Sequence, residues 1–339
     1  MTRTRDLLIL RAPGLADLLT GLPACRGLRR HFPQHNIVLA APAHLAELAM
    51  ISCAFDEVLP TDGLADLRWK RPAPDVAVNL HGKGPRSHQA LLALEPRRRI
   101  GFRAPGWSGP TWDPGEHDIS RWCRLLETAG IATDPTHLRL PLPGVPSVAP
   151  GAVVIHPGAS SPSRCWPPGR YAEVARRLAA SGAPVVITGS AAERSLAGQV
   201  ARQAGLPETT VLAGDLSVLE FAATIASARL LICGDTGAGH LATAYATPSV
   251  LLFGPMSPRL WGPPASQYRH RVLWYGPHRG ERFASRPDPA LLAITPDQVL
   301  SAARNQLRVQ TRMGWIPIGA SAGGAVNGRT EGVRAERVR

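Results

Sequence analysis

The chain has almost no lysine. Only Lys70 and Lys83 stand among its 38 basic residues, so arginine carries nearly all of a formal charge of +13. These arginines are scattered, and no basic run is interleaved with aromatics, which argues against a nucleic-acid surface. Together with much Ala, Pro and Gly they look like a GC-rich coding bias, although a basic balance also favours an anionic substrate or an anionic membrane face. The five cysteines (Cys25, Cys53, Cys123, Cys165, Cys233) are spread along the chain without a C-x-x-C pair. That spacing reads as reduced, packed thiols, not as a disulfide framework or a redox centre. No apolar run nears the ~20 residues that span a bilayer, and "MTRTRDLLILRAPG" lacks the apolar core of a signal peptide. A cytoplasmic protein is expected. Metal-ligating patterns are missing too, since neither D-x-D nor H-E-x-x-H occurs, and the dinucleotide fingerprint G-x-G-x-x-G is absent.

What is present is a repeated alternation. The 339 residues, 44% hydrophobic, suit two domains of about 150 residues each. In the first half "DLLILRA" (6–12), "NIVLAAP" (36–42) and "DVAVNLHG" (75–82) read as buried strands. Helical patterns stand between them, the first over 17–33, opening at Asp17. Four prolines and two glycines in "PLPGVPSVAPG" (141–151) then read as a linker. The alternation restarts at "AVVIHPG" and runs through "PVVITGS", "TVLAG", "RLLICGD" and "PSVLLFG". Short strands alternating with helices predict parallel sheets covered on both faces. The expected architecture is α/β, with an N-terminal Rossmann-like domain over 1–145 and a second over 151–305 facing it across a central cleft. A tail over 315–339, rich in Gly, Ala and Arg, is expected to be disordered.

Three polar, glycine-rich turns each follow a strand, the place where ligands of open α/β sheets bind. "RAPGLADLLTGLP" (11–23) brings Asp17, which by residue type also suits a helix N-cap. "VIHPGASSPSRCWPPGRY" (154–171) brings Ser160, Ser161, Ser163 and Arg164, the hydroxyls and guanidinium that a phosphate needs; a plain surface arginine in a Pro/Ser loop is the other reading. "GDTGAGHLATAYA" brings Asp235 to a strand end. Thr236, Gly237 and His240 then begin a helix whose free amides suit a diphosphate, with Gly237 and Gly239 letting a ligand approach the backbone.

Together these segments resemble glycosyltransferase family 9, the heptosyltransferase-type enzymes, over roughly residues 5–300. "GLADLLTGLP…LRRHFP", "HPGASSPSRCWP" and "DTGAGHLATA" followed by "PSVLLFGP" are similar to three ordered motifs of that family, and "EHDISRWCRLLETAGI" (116–131) looks like its His-led helix. The resemblance implies two Rossmann-like domains of the GT-B type, with the acceptor on the N-terminal lobe and the nucleotide sugar on the C-terminal lobe. It implies an inverting, metal-independent transferase that needs no cofactor beyond a donor of the ADP-heptose kind, and a glycan or small-molecule acceptor. It assigns Asp17 as the general base, and Arg164 and Ser160 to the diphosphate. Asp235 falls to the donor sugar, Thr236, Gly237 and His240 to the phosphate-binding helix start, and Glu193, in "TGSAAERSL", to the ribose. Two departures stand out: Ala16 replaces the usual glycine before Asp17, and Arg164 replaces a frequent lysine. A sugar-nucleotide epimerase of the same two-lobed build, and a non-catalytic sugar-nucleotide binding protein, are the competing readings.

Overall fold

A computed structural model describes residues 5–276 and 280–312; the expected disordered tail at 315–339 lies outside them. The first lobe runs β1 (Asp6–Leu10), α1 (Leu15–His31), β2 (Asn36–Ala41), α2 (Ala46–Ile51), β3 (Glu57–Pro60), β4 (Val76–Asn79), α3 (Arg86–Leu92), β5 (Arg98–Ile100) and α4 (Asp118–Thr128). Its sheet has the order β3-β2-β1-β4-β5, every pair parallel. Strand alternation sorts the core: Leu7 and Ile9 of β1 pack with α1 and α4, while Leu8 and Leu10 join Leu91 and Trp107 on the other face.

After the proline-rich stretch, which forms no regular element over 141–150, the second lobe repeats the plan. It runs β6 (Val153–His156), α5 (Pro168–Ala179), β7 (Val185–Ile187), α6 (Arg194–Ala204), α7 (Val218–Ser227), β8 (Leu230–Gly234), α8 (Gly237–Tyr245), β9 (Ser249–Leu252), α9 (Pro258–Trp261), β10 (His270–Leu273), α10 (Pro289–Leu292) and α11 (Pro296–Arg312). The order is β10-β9-β8-β6-β7, again all parallel. The fold is therefore two Rossmann-like α/β units, as expected, with two local differences. "TVLAG" forms only an isolated bridge, Ile187 to Val211, because a short helical turn over Glu208–Thr210 takes up the chain before it. The edge strand β10 carries only four residues, two of them His and Arg, which hides it from an apolar-run reading.

The lobes touch. Helices α1 and α8 pack across the boundary, so residues of both lobes share one apolar cluster. Polar links reinforce it: the Leu140 amide donates to the Ala244 carbonyl at 3.3 Å, and His117 Nε2 lies 3.0 Å from the Gly262 carbonyl oxygen.

Candidate functional site

In the first lobe the strand order reverses between β1 and β4, the topological switch point at which such sheets bind ligands. Strand β1 delivers Arg11 and Ala12 to this point, and β4 delivers Leu80 and His81. Gly14 is the N-cap of α1, which makes Asp17 the third helical residue and removes the capping role its type allowed. Ala16 is likewise inside the helix. The acidic side chain in the first turn suits the positive end of the helix dipole. Asp17 is half-buried. Across from it, His81 Nδ1 accepts the Ala12 amide at 3.3 Å, which leaves Nε2 free to carry the ring proton. Burial pushes the His81 pKa down, Arg11 adds to that, and Asp17 opposes both.

Arg11 underlies this arrangement. It is 1% exposed and donates Nε to the Asp17 carbonyl and Nη1 to the Leu80 carbonyl. One guanidinium thus ties together the backbone of the two segments that carry Asp17 and His81. Its Nη2 meets Thr20 Oγ1 at 2.8 Å and Asp118 Oδ2 at 3.1 Å. Asp118 also accepts from Thr20 (2.7 Å), Trp122 Nε1 (3.0 Å) and Arg121 (3.0 Å), and these cations and donors hold its carboxyl below the usual range despite burial. The helix makes room at Gly21, where a Cβ would lie 2.5 Å from Arg11 Nε.

In the second lobe the order reverses between β6 and β8. The β6 turn and the β8 end bring Ser160 and Arg164 to Asp235, 71 residues beyond Arg164. Arg164 Nη1 donates to the Asp235 carbonyl at 3.2 Å and stands 3.7 Å from Asp235 Oδ2, while Nη2 donates to Ser160 Oγ. Arg164 is 9% exposed, and its Nε is buried with no partner among the described residues. It is no loose surface arginine. Burial lowers its pKa, Asp235 opposes, and Arg282 adds to the lowering. Ser161 and Ser163 pair with each other at 2.9 Å.

Thr236 is the N-cap of α8, and Gly237 its first residue. His240 sits one turn in, beside Asp235, in a pocket shared with Phe253 and Trp261. Burial pushes its pKa down against the pull of Asp235, Asp118 and Asp17, so Asp17 of one lobe and Asp235 of the other act on the same imidazole. The two glycines of this helix also meet a packing need. A Cβ on Gly237 would strike Leu15 of the first lobe, and one on Gly239 would press on Leu251 at 3.2 Å. Both serve helix packing.

Glu193 has two neighbours that fix it. Its Oε2 accepts the Ser190 amide at 2.7 Å and the Ser190 hydroxyl at 2.9 Å, closing a capping box. Oε1 occupies the space over Gly158, where a Cβ would lie 1.9 Å away. The carboxylate rims an interlobe cavity of about 380 Å³, walled by Leu216, Val218 and Phe221 from the second lobe and by Leu15, His44 and Leu45 from the first. His156 lines it too, 3.1 Å from Thr188 Oγ1. Apolar walls with one acid at the rim suit a nucleoside. Among the described residues no group of three or more His, Cys, Asp or Glu is arranged to hold a metal ion, and no helix is long and apolar enough to cross a membrane. Sequence reading left out Arg11, Asp118 and Arg282. Only the placing of Arg11 at the end of a buried strand hinted at the first.

The model of glycosyltransferase family 9 (heptosyltransferase) matches residues 116–282, a stretch that begins at α4 and includes the second and third motifs. Over 115 residues the chain is 41% identical to lipopolysaccharide heptosyltransferase 1 of Pseudomonas aeruginosa, covering 34% of this chain and 31% of that protein. Sequence matches to the curated relatives span less than half of their lengths, 31%, 45% and 43% for three of them. Solved structures extend the likeness of fold to nearly the whole chain. ADP-heptose heptosyltransferase II of E. coli superposes with a TM-score of 0.72 at 22% identity, covering 90% of this chain and 99% of that one. The E. coli heptosyltransferase WaaC with ADP gives 0.66 at 18% identity, over 89% of this chain and 99% of that one. Three ordered motifs, a two-lobed GT-B fold and these matches lead to one conclusion: the chain is similar to glycosyltransferase family 9, the heptosyltransferase family, over the stretch its model matches.

Proposed function

We propose that this protein is an inverting glycosyltransferase that moves a heptose-like sugar from a nucleotide-activated donor to a hydroxyl of a glycan acceptor, without a metal ion. The observation that carries the reading is the pairing of sites across the lobes. Asp17 stands at the switch point of one sheet, Arg164, Ser160 and Asp235 at that of the other, and both lobes' carboxylates act on His240. Asp17 takes the proton of the acceptor hydroxyl, whose oxygen attacks the anomeric carbon of the donor. The bond to the diphosphate breaks on the opposite face, which inverts the centre. Arg164, the hydroxyl of Ser160 and the amides at the start of α8 meet the charge that develops on the departing diphosphate. Asp235 holds the sugar, and Glu193 the ribose in the cavity beside Phe221. ADP in the WaaC structure supports an adenine donor. On this reading the protein works on the cytoplasmic side, and its net charge of +13 suits an anionic membrane face that carries the acceptor.

The test is ADP release from ADP-heptose with a panel of truncated glycan acceptors and excess chelator. Acceptor-dependent release that survives chelation is expected. Release without any acceptor would favour the epimerase reading, and turnover restored only by magnesium or manganese would remove the metal-free mechanism.

A further inference from the structure

We propose that Arg282 is a second phosphate-binding guanidinium of the donor site, working beside Arg164 on the nucleoside diphosphate. The inference rests on the transferase reading given above. Arg282 comes from the segment between β10 and α10, far from the motifs, but that segment is strapped to the donor turn. The Ser163 hydroxyl donates to the Arg282 carbonyl at 2.5 Å, and the Asp288 amide donates to the Ser163 carbonyl at 3.1 Å. Ser163 is the immediate neighbour of Arg164.

The side chain is held as well as the backbone. Its guanidinium lies over the ring of Trp261, 4.9 Å from the centroid. Trp261 lines the pocket that contains Asp235, Thr236 and His240. A ring under a guanidinium fixes its plane and leaves the edge donors free. Arg282 Nε is buried and has no partner among the described residues, and the same holds for Arg164 Nε.

The charge count points the same way. Arg164 and Arg282 are close enough for one to disfavour the charge on the other. The one carboxylate paired with them among the described residues is Asp235, on Arg164. Two guanidiniums against one carboxylate leave a positive excess where burial makes an unmatched charge costly. A diphosphate supplies the missing negative charge, and two arginine forks suit its two phosphoryl groups.

Calorimetric titration of ADP, pyrophosphate and adenosine into the wild type, Arg282→Gln and Arg282→Lys tests this. Loss of a charged hydrogen bond weakens binding about tenfold or more, so Arg282→Gln should lose that much affinity for ADP and for pyrophosphate and none for adenosine. Arg282→Lys should recover part of it. Unchanged ADP and pyrophosphate affinity in a variant with a normal melting curve overturns the proposal. So does an equal loss for adenosine, which would mean a disturbed pocket, and so does a rise in acceptor KM alone, which would give the guanidinium to an acceptor phosphate. A wild type that binds neither ADP nor pyrophosphate overturns the transferase reading itself.

Discussion

Leu15 of the first lobe fills the space above Gly237 of the second. A Cβ on Gly237 would lie 2.8 Å from Leu15 Cδ2 and Cγ and 2.9 Å from its Cβ. Cγ and Cβ are stem atoms of the leucine, so rotation of its end methyls does not relieve the clash. A glycine that a sequence reader assigns to a phosphate is needed here for the docking of one lobe on the other. The same contact brings Asp17, two residues beyond Leu15, near enough to α8 for its charge to act on His240.

Gly237→Ala should therefore cost about 1–3 kcal/mol, the usual range for overpacking. Leu15→Ala in the same chain should return most of that loss, because it removes the clashing atoms. Urea unfolding of the two single variants and the double variant gives the coupling energy. Additive losses would show that the contact does not limit packing at Gly237.

The buried pair of Arg11 and Asp118 should be sensitive to removal of one member. Asp118→Ala leaves Arg11 charged at 1% exposure, and a broken buried pair costs about 3–5 kcal/mol. The loss should appear in the denaturation midpoint. Arg11 also holds the Asp17 and Leu80 carbonyls, so turnover should fall further than stability explains, with ADP affinity kept. A folded Asp118→Ala enzyme with wild-type turnover would deny Arg11 a positioning role.

His270 should make stability depend on pH. It is 9% exposed, bonded to Ser249 Oγ and Gln267 Oε1, each at 2.8 Å, and burial pushes its pKa down from 6.5 to about 4. The unfolded chain takes up this proton more readily than the folded one. The contribution is thus complete above about pH 6.5 and is lost as the pH falls towards 4, by up to about 3 kcal/mol. Stability curves of the wild type and His270→Gln between pH 8 and 4 should converge on the acid side. Parallel curves would rule out the histidine as the source.

The parts of the site that were legible in the sequence are the local ones. A strand, a glycine turn and a helix start are contiguous, so "RAPGLAD", "HPGASSPSR" and "GDTGAGH" announced their own positions, and Ser160, Arg164 and Asp235 do meet. What sequence reading missed depends on distant partners. Asp118 and Arg11 stand 107 residues apart, and only the packing of α4 on α1 joins them. Arg282 reaches Arg164 through Ser163, across 119 residues, from a stretch without periodicity. The packing of Gly237 on Leu15 was missed for the same reason, since Leu15 lies in the other lobe. Asp17 as a cap failed more locally: the helix begins at Leu15, because Gly14 takes the N-cap position.

Asp17→Asn separates catalysis from structure. Because Gly14 is the N-cap, Asp17 contributes to stability only as a first-turn charge, worth about 0.3–1 kcal/mol. Its melting curve should move little. If the carboxylate removes the acceptor proton, turnover at saturating donor should fall by about 10²–10⁴-fold, since an amide cannot accept that proton. ADP affinity should stay near wild type, because the polar donor contacts proposed above, Arg164, Ser160 and Glu193, belong to the other lobe. Turnover, calorimetry with ADP and a melting curve on one preparation decide the matter. A stable, ADP-binding and fully active Asp17→Asn enzyme would refute the catalytic role of Asp17.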